Sequence, residues 1–140
     1  MHPVDPARIE GFHAHLYYDP ETRPIAERLR EAIGTGFAVQ LGRWHDQPVG
    51  PHPISMYQVA FAVAEFEHLV PWLMLNRDGL TVLVHPLTGN DYDDHAHHAL
   101  WLGAVLPLRR PRSQWRGAKV WAFMTKIGIS SSSSRRLSRK

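Results

Sequence analysis

Apolar and polar residues alternate along positions 12–18, with Phe12, Ala14 and Leu16 against His13, His15 and Tyr17. A period of two puts the sets on opposite faces of a strand. Asp19 to Pro24 carries turn and cap chemistry, with Thr22 as the helix N-cap and Pro24 in the first turn. Ile25, Leu29 and Ile33 then recur at helical spacing, and Gly34 and Gly36 are expected to stop that helix. A short strand is predicted over 37–41, followed by a loop over 42–53 rich in glycine and proline. Alternation is clearest over 56–63, where Tyr57, Val59, Phe61 and Val63 share one face and Met56, Gln58, Ala60 and Ala62 the other. Phe66, Leu69, Val70 and Leu73 predict a second helix over 65–76, with a kink at Pro71. Asn76-Arg77-Asp78-Gly79 is a turn, and a fourth strand is predicted over 80–85, closed by Pro86.

The order β-α-β-β-α-β is that of an α+β, ferredoxin-like domain with an antiparallel sheet. In that topology the first strand lies between the third and fourth, antiparallel to both. The start of the first strand then lies beside the end of the fourth. His13 and His15 are thereby brought to His85, 70 positions away. Helices are expected on the face carrying Phe12, Ala14, Leu16, Val82 and Val84. The histidine face is left open to a ligand or a second subunit.

This placement gives weight to an unusual composition. The 140 residues contain ten histidines and no cysteine. Seven histidines fall in four clusters: His13-Ala14-His15, Pro51-His52-Pro53, His85-Pro86 and His95-Ala96-His97-His98. Histidine is the commonest metal ligand and titrates nearest neutrality. Without thiolates, a metal would be held by nitrogen and oxygen, which suits zinc or non-haem iron. Successive strand positions on one face stand about 6–7 Å apart, a spacing that suits two ligands of one metal, or one ligand and one acid/base. The plainer reading of His13 and His15 is a pair on a half-exposed face, bonded to water or backbone. His95 follows a turn that can fold back over the same sheet end. His52 precedes the third strand, whose start lies at the far end of the first, roughly 15–20 Å away by strand rise. Either its loop folds over the face or a partner subunit supplies it. Asp91, Asp93, Asp94 and Glu10 could serve as a carboxylate ligand or as its partner, although the three aspartates also suit a turn and helix cap. His97 and His98 read as surface residues, and His2, His45 and His68 as solvated. Tyr17 and Tyr57 could touch a substrate or simply pack. There is no phosphate loop, dinucleotide fingerprint, serine elbow or His-Glu-x-x-His.

Charge divides the chain. Residues 1–108 hold all 13 acids and six arginines, a balance of −7, while 109–140 hold ten basic residues and no acid. The tail also carries Ser130 to Ser134. The expected organisation is one domain over 1–108 and a basic, serine-rich extension over 109–140, outside the packed core. Nucleic acid is not an expected partner of the body; only the tail has the charge for it. No apolar run reaches the roughly 18–20 residues of a membrane span. The first residues lack the blocks of a signal peptide, so the cytoplasm is the expected location.

In order, His13-Ala14-His15-Leu16-Tyr17-Tyr18-Asp19, Gly50-Pro51-His52-Pro53, Trp72-Leu73-Met74, Leu83-Val84-His85-Pro86-Leu87-Thr88-Gly89, and Asp94-His95 through Ala99-Leu100-Trp101-Leu102-Gly103 resemble the DOPA 4,5-dioxygenase family over about residues 11–108. The resemblance implies a small, often dimeric ferredoxin-like protein that opens a catechol ring by extradiol cleavage, with dioxygen and a non-haem Fe(II). The founding fungal activity cleaves DOPA between carbons 4 and 5, toward betalamic acid; compact bacterial-looking members need not act on DOPA. His13, His15, His52, His85 and His95 fall on the family's histidine motifs. The expected ligands are His15, His85 and either His13 or His95, with the remaining one of these or His52 as acid/base. Zinc is a possible substitute metal. The first rival reading is a non-catalytic dimer that holds a metal or small ligand through the same histidines. The second is an interaction module acting through its basic tail.

Overall fold

The computed structural model describes residues 2–115. The greater part of the basic extension, residues 116–140, lies outside the described residues.

The chain forms an α+β fold. Its elements are β1 (Phe12–Tyr17), α1 (Arg23–Gly36), β2 (Val39–Leu41), β3 (Met56–Phe61), α2 (Phe66–Asn76), β4 (Val82–Pro86), α3 (Asp91–Ala96) and β5 (Leu100–Leu102). The sheet order is β2-β3-β1-β4-β5, and every neighbouring pair is antiparallel. The expected neighbourhood of β1 is therefore found, between β3 and β4. Register sets His13 opposite His85, and Tyr17 opposite Met56. Strand β5 lies outside the four-strand pattern expected from the sequence and extends the sheet beyond β4.

One face of the sheet meets the helices. Ala14, Leu16, Tyr57, Val59, Phe61, Val82 and Val84 pack there against Ala26, Leu29 and Ile33 of α1 and Leu69, Val70 and Leu73 of α2. Each large side chain taken fully out of water contributes about 1.5–3 kcal/mol. Helix α1 runs through Gly34 to Gly36 instead of stopping at the first glycine. A Cβ on Gly34 would stand 3.0 Å from Leu41 Cδ1, so this glycine serves close helix–strand approach. Pro71 lies inside α2 without ending it.

The other face is not open. Tyr17, Met56 and Leu83 are buried beneath Ala99, Trp101, Leu106 and Leu108. Two segments fold over it: the 42–53 loop and the chain after β4. The loop is fastened at its start by His45, whose backbone exchanges two 3.0 Å hydrogen bonds with Met56. Trp44 stands against the Tyr57 and Tyr18 rings, with the Arg23 guanidinium 4.1 Å from its own ring centre. Asp46 accepts from Tyr18 Oη and Arg23 Nε. At the far end of the loop, Arg109 N–H donates to the Pro51 carbonyl at 2.9 Å. No helix among the described residues is long and apolar enough to cross a membrane.

Candidate metal centre

Five histidines meet on the covered face. β1 supplies His13 and His15, β4 supplies His85, the loop supplies His52 and α3 supplies His95. His15, His52, His85 and His95 are buried, and His13 is partly so. The ring of His15 lies 4.1 Å from that of His52 and 5.2 Å from that of His85. His85 and His95 are 3.8 Å apart, and His13 is 5.2 Å from His85. Two triads, His13/His15/His85 and His15/His52/His95, each bring one ring nitrogen per residue within 4.8 Å of the others.

The surroundings of three of the rings fix their tautomers. His85 Nδ1 lies 3.0 Å from the Pro86 carbonyl and His95 Nδ1 lies 2.8 Å from the Asp91 carbonyl. A carbonyl only accepts, so both Nδ1 atoms carry hydrogen and both Nε2 atoms keep a lone pair. His15 Nδ1 faces the thioether of Met56 at 3.5 Å, again a group that can only accept. Its Nε2 is then left with a lone pair, 3.1 Å from His85 Nε2. Two lone pairs at that distance call for a cation between them. Two nitrogens about 2.1 Å from one ion stand roughly 3.0–3.4 Å apart for angles between 90° and the tetrahedral value. The observed separation falls in that range, so these residues fit a metal ion.

A proton is a poor substitute for the metal. Burial first, and mutual repulsion among the rings second, hold His15 and His85 well below the usual histidine range. The same causes push His13 and His52 down to about 3. His95 is lowered by burial, against the opposing pull of its bond to the Asp91 carbonyl and the Asp94 charge. The cluster is thus neutral at pH 7, the state a ligating imidazole requires.

Helix α3 aims His95. The Asn90 side chain caps it by accepting from Asp93 N–H at 3.0 Å. Asp94 is fully buried and accepts from both the N–H and the hydroxyl of Thr88, tying the helix to the turn after β4. Gly89, at φ 96°, makes that turn. Beyond Leu108, the Trp115 ring rests 4.7 Å from His95.

All five histidines singled out in the sequence therefore gather, and His52 reaches the cluster within its own chain. His97 and His98 are exposed, and Asp91 and Asp93 belong to the first turn of α3. Pattern reading missed Met56 and Asn90; it named Asp94 as a turn and cap residue and Tyr17 as a residue of the histidine face, without their partners Thr88 and His52. Tyr17 Oη stands 2.7 Å from His52 Nδ1. The alternation that put Tyr17 on the histidine face was the available signal.

The Dopa 4,5-dioxygenase family matches residues 12–111. Over 118 residues, 76% of this chain, the sequence is 34% identical to an uncharacterized 21.2 kDa protein of Botryotinia fuckeliana. It is 32% identical, over 73% of the chain, to the DOPA 4,5-dioxygenase of Amanita muscaria. The chain spans 64% and 49% of the lengths of these two curated relatives. A crystal structure of a candidate dioxygenase from Nostoc punctiforme superposes with a TM-score of 0.75 at 57% identity, covering 76% of this chain and 92% of that one.

Proposed function

The chain belongs to the Dopa 4,5-dioxygenase family, and from that premise we propose that it is a ring-cleaving dioxygenase that opens a catechol with dioxygen at a non-haem Fe(II). The single observation that carries the metal assignment is the pair of Nε2 lone pairs on His15 and His85, 3.1 Å apart. We assign His95 as the third ligand. Its Nδ1 donates to a backbone carbonyl, as that of His85 does, which is the usual outer bond of a metal-ligating histidine. His13 and His52 flank the three. A ferredoxin-like homodimer is the proposed form of the protein, with zinc as a substitute metal.

Bound ferrous iron supplies Lewis acidity toward the two catechol oxygens and an electron route to dioxygen. The remaining work falls to the side chains. Extradiol opening places both atoms of dioxygen across one carbon–carbon bond and uses no external reductant. Protons released by the catechol must therefore be taken up and returned within the site. His13, beside His85, would take up a catechol proton and return that same proton to the ring-opened product, while His52, on the opposite side of His15, gives the substrate a hydrogen bond and stays neutral. Trp101 and Trp115 close the face and keep bulk water from the rings.

The test is iron reconstitution under anaerobic conditions, followed by oxygen consumption with a panel of catechols. Stoichiometric oxygen uptake with a yellow product is expected. An iron-loaded protein inert to every catechol sinks the catalytic reading. His95→Ala is expected to lose the metal and His13→Ala to keep it; the reverse result would give the third position to His13, which forms a triad with His15 and His85. The deep burial of His15 and His85 favours a second reading, a closed zinc site without turnover. Zinc retained through anaerobic purification, together with no oxygen uptake after iron exchange, would select it.

A further inference from the structure

Three of the five clustered histidines, His15, His85 and His95, keep a lone pair on Nε2, but His52 has a different neighbour. His52 Nδ1 meets neither a carbonyl nor a thioether; it meets the phenol oxygen of Tyr17 at 2.7 Å. A phenol can donate or accept, so the direction depends on what else the hydroxyl can reach. Tyr17 is 2% exposed, and His52 is the one hydrogen-bond partner of its hydroxyl among the described residues. A buried hydroxyl that cannot place its hydrogen elsewhere donates it. The His52 ring then accepts at Nδ1 and carries its own hydrogen at Nε2. Its tautomer is the opposite of that of His85 and His95.

We propose that Tyr17 is a positioning residue that reserves His52 as a hydrogen donor to the bound substrate and keeps it off the metal. The inference rests on the dioxygenase reading for its substrate, but not for its tautomer. With Nδ1 occupied by Tyr17, the nitrogen left for His52 to turn toward the cluster is Nε2, and it bears hydrogen. A neutral imidazole in that form gives a hydrogen bond and cannot ligate through the same atom. The phenol itself is well held. Its ring stacks on Trp101 at 6.0 Å and packs with Met56 and Leu83. Two neighbouring strands, β1 through Tyr17 and β3 through Met56, thus set two opposite tautomers. His15 faces the Met56 thioether, which can only accept, and Tyr17, two positions on, offers His52 a donor. The expected occupant above His52 Nε2 is an oxygen acceptor of a catechol-class substrate.

Nitrogen-15 NMR of the full chain, labelled at histidine and loaded with zinc, reads the tautomers directly and needs no turnover. His52 is expected to show a proton on Nε2 and a bare Nδ1, while His85 and His95 show a proton on Nδ1. Tyr17→Phe is expected to erase the single-tautomer signature of His52 and leave zinc stoichiometry unchanged. In the iron-loaded enzyme it should lower kcat by about 10–100-fold, with KM within about twofold. A proton on Nδ1 of His52 in the unmodified protein overturns the proposal, whether or not the variant folds. So does loss of zinc from Tyr17→Phe or from His52→Ala, because His52 would then be a ligand. Failure to oxidise catechols, with the tautomers as stated, would refute the dioxygenase reading and leave the role of Tyr17 in fixing His52 standing.

Discussion

Lowering the pH of the metal-free protein from 7.5 to 5 should cost it a large part of its stability. The group of interest is a histidine whose folded pKa lies below its unfolded value of 6.5. Such a histidine is neutral in both states at pH 7.5, so it imposes no penalty there. As pH falls through 6.5 the unfolded chain takes up a proton that the folded chain refuses. Stability is lost from that point down to the folded pKa. For His13 and His52, both held down to about 3, the window runs from pH 6.5 to about 3. One pKa unit corresponds to about 1.4 kcal/mol, so each of the two removes about 2 kcal/mol by pH 5. Together they remove about 4 kcal/mol, against a typical total of about 5–15 kcal/mol. His15, His85 and His95 act in the same direction. Asp91 and Asp94, raised by burial, act in the other. Urea denaturation with chelator present, at each pH, measures the sum. Repeating it on the His13→Gln, His52→Gln double variant isolates the pair, and its loss between the two pH values should be smaller by about 4 kcal/mol. Equal losses in the two proteins would refute the claim that burial holds these rings neutral.

Two further expectations follow from the scaffold around the cluster. Asp94→Ala removes the carboxylate that accepts both Thr88 hydrogens and should destabilise the protein by about 2–4 kcal/mol in urea denaturation. Because the same carboxylate fixes the helix that aims His95, zinc affinity should fall about 10–100-fold in a chelator competition; unchanged affinity would mean that His95 needs no such support. Trp44→Ala removes the ring between Tyr57 and Arg23 that pins the 42–53 loop, at a cost of about 2–3 kcal/mol for a partly buried aromatic. Hydrogen exchange at the His45 and His52 amides should then quicken more than exchange in β1 and β4; uniform protection would show that the loop is held elsewhere.

The sequence made some of this site legible because strand geometry has a fixed period. Alternation over β1 assigned His13, His15 and Tyr17 to one face, and the order of elements brought β4 alongside, so His85 could be placed across 70 positions. Helix α1 was read up to its glycines, where side-chain spacing says nothing. The close approach to Leu41 that makes Gly34 useful inside the helix is a property of the assembled fold. The covering of the histidine face was illegible for a related reason. The 42–53 loop has no periodicity, and what folds it inward is a set of contacts between distant residues: Trp44 with Tyr57, Asp46 with Tyr18, Pro51 with Arg109.

Strand rise alone put His52 at the far end of β1, and that estimate was correct for the start of β3. It omitted the return path. His45 pairs with Met56 at that far end, and the seven positions from 45 to 52 are enough to run back over the sheet face. Of the two routes that distance left open for His52, its own loop or a partner subunit, the loop of its own chain is the one that places it. The same contacts that draw the loop in also differentiate the cluster. Four of these chemically identical side chains can take unlike roles because each is addressed through its second nitrogen: a carbonyl for His85 and for His95, a thioether for His15, a phenol for His52. Position along the chain announces where imidazoles gather, but the identity of the atom behind each ring determines which of them can bind a metal and which can give up a hydrogen.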